Sequence, residues 1–294
     1  MLRSSLYGYS VLALLALSTA CATGALSEAP PAPPLGATPA AEPVPILVTS
    51  SKTTEPPTTA AAPTGASSPI EAAVQAADRS ADDRALDAQR KPVELLTFFG
   101  IAEGQRVAEL GAGGGYTAEL LARVVGPSGK VYGQNSKFIL ERFAEAPWSA
   151  RLQKPILQNI VRLDTPFDAP FPEDVKDLDA VLMILFYHDT VWQKVDRARM
   201  NQAIRAALKP GGVYGIVDHS AADGAGTSVT ETLHRIAEKS VVDEVTAAGF
   251  ELEQTADFLR SPDDTRDWNP SPKKAGERRG TSDRFVLRFV KRAD

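Results

Sequence analysis

From Arg106 onward the apolar positions switch between two periods. Arg106-Val107-Ala108-Glu109-Leu110 has the make-up of a short buried strand and runs straight into a glycine-rich turn. Between Tyr116 and Val125, Leu120, Leu121, Val124 and Val125 fall on one helical face. Gly126-Pro127-Ser128-Gly129 then breaks the pattern, and Lys130 to Gly133 reads as the next strand. Strand, helix and strand make a βαβ unit. Asn159 to Leu163 is a third strand, and Leu178 to Tyr187 is the nearly unbroken apolar run that a parallel strand buried on both faces requires. Met200, Ala203, Ile204, Ala207 and Leu208 form a helical stripe, after which Lys209-Pro210-Gly211-Gly212 turns the chain into a fifth strand, Val213 to Val217.

The flanks complete the series. Ser80 to Gln89 is helical, and Pro92 ends that run and opens another, Val93 to Phe99, which stops at Gly100. A long helix from Val229 to Ala248, closed by Gly249, precedes two strands, Glu251 to Phe258 and Arg284 to Lys291. In the last of these Phe285, Leu287 and Phe289 alternate with Arg284, Val286 and Arg288, so one face is strongly apolar. The polar stretch between them, Ser261 to Arg279 with Trp268, reads either as a mobile cover or as a surface loop of no catalytic interest. Strands alternating with helices predict a doubly wound, Rossmann-like α/β sheet, mostly parallel with an antiparallel C-terminal strand. Its ligand should lie at the carboxyl ends of the central strands.

The first 68 residues follow other rules. Arg3, the apolar stretch Val11 to Leu17 and the small residues Ser18-Thr19-Ala20 before Cys21 have the plan of a secretory signal, too short to span a bilayer. Leu17-Ser18-Thr19-Ala20-Cys21 further resembles a bacterial lipobox, which implies lipidation at Cys21 and an exported, lipid-anchored protein at the cell envelope. Residues 22–68 are dominated by Pro, Ala, Thr, Ser and Glu, too polar to bury the surface that would offset their ordering entropy. They read as a disordered tether with a reach on the order of 100 Å at about 3.1 Å per residue. The division expected is 1–21 signal, 22–68 tether and 69–294 folded domain.

Two totals narrow the chemistry. A net charge of -5 offers no general attraction to a phosphate backbone, so no nucleic-acid partner is expected. Cys21 is the one cysteine, which rules out an intramolecular disulfide and a thiolate zinc cluster.

The turn after the first strand carries most of the functional signal. A strand, glycines and a helix N-terminus let a ligand approach the main chain closely. A dinucleotide fingerprint built on Gly111 and Gly113 needs a third glycine where Tyr116 stands. Glu109 also places a carboxylate where it would repel a pyrophosphate and suit a cationic amino acid. Val107-Ala108-Glu109-Leu110-Gly111-Ala112-Gly113-Gly114-Gly115-Tyr116 resembles motif I of the class I S-adenosylmethionine-dependent methyltransferases, and the resemblance runs from about Asp83 to Val290. The chain is especially similar to a bacterial group of predicted methyltransferases that share Arg90-Lys91-Pro92, Phe98-Phe99-Gly100, Tyr187-His188-Asp189 and Val217-Asp218-His219-Ser220.

That resemblance implies the cofactor, S-adenosylmethionine, and a set of positions. Glu109, Gly111, Gly113, Gly115 and Tyr116 would surround its methionine part. Gln134 and Asn135 stand where an acidic residue usually grips the ribose, and Asp164 where the adenine amino group is often met, although an Asp before Thr165-Pro166 is also a turn former. The three histidines, His188, His219 and His234, all fall on the ligand side, with His188 and His219 ranked as candidate bases where the acceptor must lose a proton. Asp189 and Asp218 would orient them, or with His219 would ligate a divalent cation as in some small-molecule methyltransferases; a site without metal is favoured. Tyr116 and Tyr187 would line the pocket or pack beside it, and Arg235 would bind an anionic substrate or lie exposed.

The expected function is methylation of a small-molecule acceptor. Charged S-adenosylmethionine made in the cytoplasm crosses apolar barriers poorly, which for an exported protein leaves a second reading open: an envelope lipoprotein that keeps the fold without turnover. A nicotinamide oxidoreductase is a distant third.

Overall fold

The computed structural model describes residues 67–293. The signal, Cys21 and almost all of the tether therefore lie outside the described residues. The elements in chain order begin with helices α1 (Pro69–Gln75), α2 (Ala81–Arg90) and α3 (Pro92–Phe98), strand β1 (Arg106–Leu110), helix α4 (Tyr116–Val125) and strand β2 (Lys130–Gln134). A helical passage follows: α5 (Lys137–Ile139), a π-helical segment Leu140–Ala144, and α6 (Glu145–Arg151). Next come β3 (Ile160–Leu163), β4 (Leu178–Ile184), α7 (Tyr187–Trp192), α8 (Arg197–Ala207) and β5 (Leu208–His219). The chain closes with α9 (Thr230–Leu233), α10 (Glu238–Ala247), β6 (Glu251–Ala256) and β7 (Arg284–Val290).

The seven strands form one sheet in the order β3-β2-β1-β4-β5-β7-β6, with β7 antiparallel to both neighbours and the pairs from β3 to β5 parallel. The expected doubly wound sheet with an antiparallel C-terminal strand is what forms. Strand order reverses between β1 and β4, and a crevice therefore opens at the carboxyl ends of those strands. Two apolar layers sandwich the sheet. Val107 and Val131 face Leu95, Leu96, Leu120 and Leu121 of α3 and α4, while Ala108, Leu110 and Tyr132 face Trp148, Met200, Ile204 and Val241. No described helix is long and apolar enough to cross a membrane.

Three expectations need correcting. Strand β4 stops at Ile184, because Leu185 takes a left-handed conformation (φ 59°) and swings Phe186 and Tyr187 out of the sheet into α7. The single helix expected over 229–248 is two: α9 ends at His234 (φ 48°), Ile236 bridges to Ser220, and α10 begins at Glu238. Strand β5 is counted from Leu208, with Lys209, Pro210 and Gly211 exposed in a bulge before the ladder resumes at Val213 opposite Ala180.

Candidate functional site

The glycine turn joins β1 to α4 with Gly111, Gly113 and Gly115 at φ 69°, 56° and 83°, values at which a side chain is strained. Close packing adds a second reason for glycine. A Cβ on Gly111 would lie 2.7 Å from the Phe186 ring, and one on Gly115 would collide with Trp148. Beside Gly113 the space is open.

Gln134 and Asn135, expected at the ribose, are turned inward and wholly buried. The Gly111 N–H donates to Gln134 Oε1 at 3.1 Å, and the Gly113 N–H to Asn135 Oδ1 at 2.8 Å. Their amide nitrogens donate to the carbonyls of Thr165 and Gly113. An amide offers a donor and an acceptor to backbone as readily as to a hydroxyl, and here the loop main chain takes both from Asn135, while Gln134 accepts from the loop and donates to Thr165. Both amides are thereby engaged by main-chain groups. Tyr116 likewise points away from the loop: its hydroxyl donates to Asp87 at 2.6 Å, and Arg90 lies 4.5 Å over its ring, so it fastens α2 to α4. Asp164 is exposed and paired with Arg162 at 2.7 Å.

Glu109 differs from all of these. It alternates with Ala108 and Leu110 along β1 and so enters the layer beneath α3 and α4, where it is 4% exposed and its Oε2 has no hydrogen-bond partner. Burial pushes its carboxyl up to about 8, against the opposing pull of Thr117, Arg90 and the Ala118 N–H. Arg90 and Thr117 also line a small cavity with Tyr116, Ile184, Leu185 and Arg284. Glu109 Oε2 is thus a buried acceptor without a partner, next to Thr117 and Arg90 of that cavity wall.

The raised carboxyl has a consequence for stability. Folding favours the protonated form, so no penalty exists below about pH 4.5. The penalty grows as pH rises toward 8 and then stays. Glu109→Gln should therefore gain stability relative to the parent as pH climbs from 5 to 8.5, read as a widening gap between their thermal midpoints. A constant gap contradicts the burial of an ionisable Glu109.

One and two strands away, at the same edge of the sheet, the three histidines gather. His188, in the first turn of α7, faces Asp218 Oδ1 with Nδ1 at 2.7 Å, and its backbone N–H donates to Asp218 Oδ2 at 2.7 Å. Its Nε2 lies 3.1 Å from His234 Nδ1 and 3.2 Å from Asp189 Oδ1. His219, at the end of β5, faces Ser282 Oγ with Nδ1 at 2.8 Å and stacks obliquely on His188, ring centres 5.9 Å apart. Burial pulls the His188 ring down, but the charge of Asp218 and the bonds to Asp189 and Asp218 outweigh it and raise the ring to about 10. Burial, reinforced by the His188 charge, pushes His219 well below the usual range. The candidate bases therefore separate, with His219 held as the neutral ring, a difference that depends on burial and so leaves no mark in the sequence.

His234, ranked last from the sequence, is a full member of the cluster, and Trp192 and Ser282 join it from segments that no motif marks. Two other assignments change. Arg235 is fully buried and pairs with Asp264 at 2.8 Å while donating to the carbonyls of Trp268 and Ser220, which leaves it no anionic substrate to meet. Through Asp264 and Trp268 the stretch from Ser261 to Arg279 is tied to Arg235 and so held rather than mobile. Tyr187, also fully buried, donates to Glu244 at 2.8 Å and packs in the core rather than lining a pocket.

No protein-family model matches the chain, and no curated protein matches it. Solved structures do. An S-adenosylmethionine-dependent methyltransferase from Aquifex aeolicus superposes with a TM-score of 0.50 at 18% identity, over 70% of this chain and 93% of its own. A protein described as a sarcosine dimethylglycine methyltransferase from Galdieria sulphuraria gives 0.51 at 18% identity, over 77% of this chain and 91% of its own. The described domain thus has the fold that those methyltransferases share.

Proposed function

We propose that the domain binds S-adenosylmethionine at the carboxyl ends of β1 and β4 and transfers its methyl group to a small-molecule acceptor. The single observation that carries this reading is Glu109 Oε2, a buried oxygen without a partner at the end of the strand that leads into the glycine turn. The residues suit the methionine end of the cofactor: Glu109 would accept from its ammonium group, and the turn at Gly113 leaves space for its approach. The ribose end fits less well, with Asp164 exposed nearby while Gln134 and Asn135 hold the loop. Bound there, the cofactor would supply an electrophilic methyl group. His219 would take a proton from an acceptor that must lose one. The net charge of -5 and the confined edge of the sheet support a small acceptor over a nucleic acid. Anchoring at the envelope through a lipidated Cys21 is proposed from the lipobox-like residues alone.

One observation favours a second reading, an envelope lipoprotein that retains the fold without turnover: Gln134 and Asn135 brace the glycine turn from within, so the loop keeps its shape with no cofactor. Calorimetric titration of the full chain with S-adenosylmethionine and with NAD separates the possibilities. Heat with S-adenosylmethionine alone is expected. Heat with neither supports the second reading, and heat with NAD alone overturns both.

A further inference from the structure

His188 Nε2, His234 Nδ1 and Asp189 Oδ1 form a nearly equilateral triangle with sides of 3.1, 3.2 and 3.2 Å. Bonds of about 2.1 Å to one ion set edges of about 3.0 Å between octahedral ligands and about 3.4 Å between tetrahedral ones. The observed edges fall between the two. We propose that this triangle is the protein half of a divalent transition-metal site, holding an ion through two imidazoles and one carboxylate, with the other positions open to water or a lone-pair-bearing small molecule. The proposal is independent of any reading of the glycine turn.

The surroundings argue for it in three ways. His188 Nδ1 is taken by Asp218 at 2.7 Å, which fixes the ring so that Nε2 points its lone pair at the triangle; a carboxylate behind a ligating imidazole is the usual outer support of such sites. Asp189 Oδ1 is steadied by the Trp192 indole N–H at 2.7 Å, which leaves this oxygen a second lone pair. Charge is the second argument. Asp218 and Asp189 have side chains 0% and 14% exposed, and among the described residues neither pairs with a Lys or Arg. Two buried carboxylates without a Lys or Arg need positive charge from the cluster itself, and a divalent ion held by neutral imidazoles supplies it in place of a ring proton. Third, the backbone is held in uncommon conformations to aim these groups: Leu185 and His234 both sit in the left-handed region, at φ 59° and 48°.

The ligand types choose the ion. Two imidazole nitrogens and one carboxylate suit zinc, ferrous iron and their neighbours, whereas magnesium prefers oxygen ligands alone. The His234 side chain is 25% exposed, which gives the ion a way in and the open positions a way out. His219, with Nδ1 on Ser282, stands outside the triangle, and Asp218 supports rather than binds. The cation set of Asp189, Asp218 and His219 weighed from sequence is thereby replaced in two of its three members.

The test is a titration of the chelator-treated full chain with Zn²⁺ against a coloured competing chelator, with Mg²⁺ in parallel. One Zn²⁺ per chain and no Mg²⁺ are expected, and Zn²⁺ should raise the thermal midpoint of the unaltered chain, a reading that needs no variant. His234→Gln and Asp189→Asn should each weaken Zn²⁺ binding at least tenfold with the far-ultraviolet spectrum unchanged. No Zn²⁺ binding by the unaltered chain, or binding of parental strength in both folded variants, would overturn the site and leave a protonated His188 as the occupant of the triangle.

Discussion

Replacing Trp148 by alanine is expected to lower the stability of the domain by about 3–5 kcal/mol, the usual range for deleting a buried large aromatic, and its thermal midpoint by about 6–20 °C. Trp148 is completely buried, and its ring fills the space over two glycines of different strands and turns: a Cβ on Gly133 would come within 2.6 Å of it, and one on Gly115 would collide. The two glycines that line that hollow have no side chains with which to refill it, so much of the cavity remains. Its indole N–H is buried without a partner, so deletion also relieves an unmet donor and keeps the loss below what area alone suggests. A melt within 2 °C of the parent would show that the glycine turn does not rest on this ring.

The same contact explains how the turn is held. Trp148 supports it from one side and Phe186, stacked on Phe167 with centroids 5.3 Å apart, closes on Gly111 from the other. Arg151 donates to the Gly114 carbonyl and pairs with Asp83 and Glu119, linking α6 to α2 and α4 across the loop. The turn is a rigid element between the Glu109 pocket and the histidine cluster, and preorganisation of this kind lowers the cost of binding.

How far the sequence foretold this depends on what sets each feature. Strand β1 and helix α4 form at the residues expected, because apolar periodicity and the bounding glycines act locally. The break at His234 was hidden, since the residues from 229 to 248 suit a helix and only tertiary partners break it: Ser220 pairs with Ile236, and Asp264 buries Arg235. The passage from Lys137 to Arg151 gave no sequence signal; a π segment and Pro147 blur its period. At the site, strand ends located the histidines, but contacts among residues 30 to 46 positions apart leave no spacing to read. Gln134 and Asn135 show the limit most clearly. Their position predicts hydrogen bonds to ribose hydroxyls, whereas the fold gives their amides main-chain partners at Gly111, Gly113 and Thr165.

The central claim is that Glu109 is the cation-facing anchor of a cofactor site, and Glu109→Gln tests it with little risk to the fold, since it keeps the shape and the neutral state that burial favours in the free chain while removing the carboxylate that a bound ammonium group would draw out. A hydrogen bond between charged groups is worth about 1.5–3 kcal/mol, or roughly 10- to 150-fold in affinity. The most direct measurement is the dissociation constant for S-adenosylmethionine of the full chain and of this variant, by calorimetry at pH 7. A loss of about tenfold or more in the variant is the predicted result; equal affinity in the two would contradict the assignment of Glu109 and, with it, the placement of the cofactor.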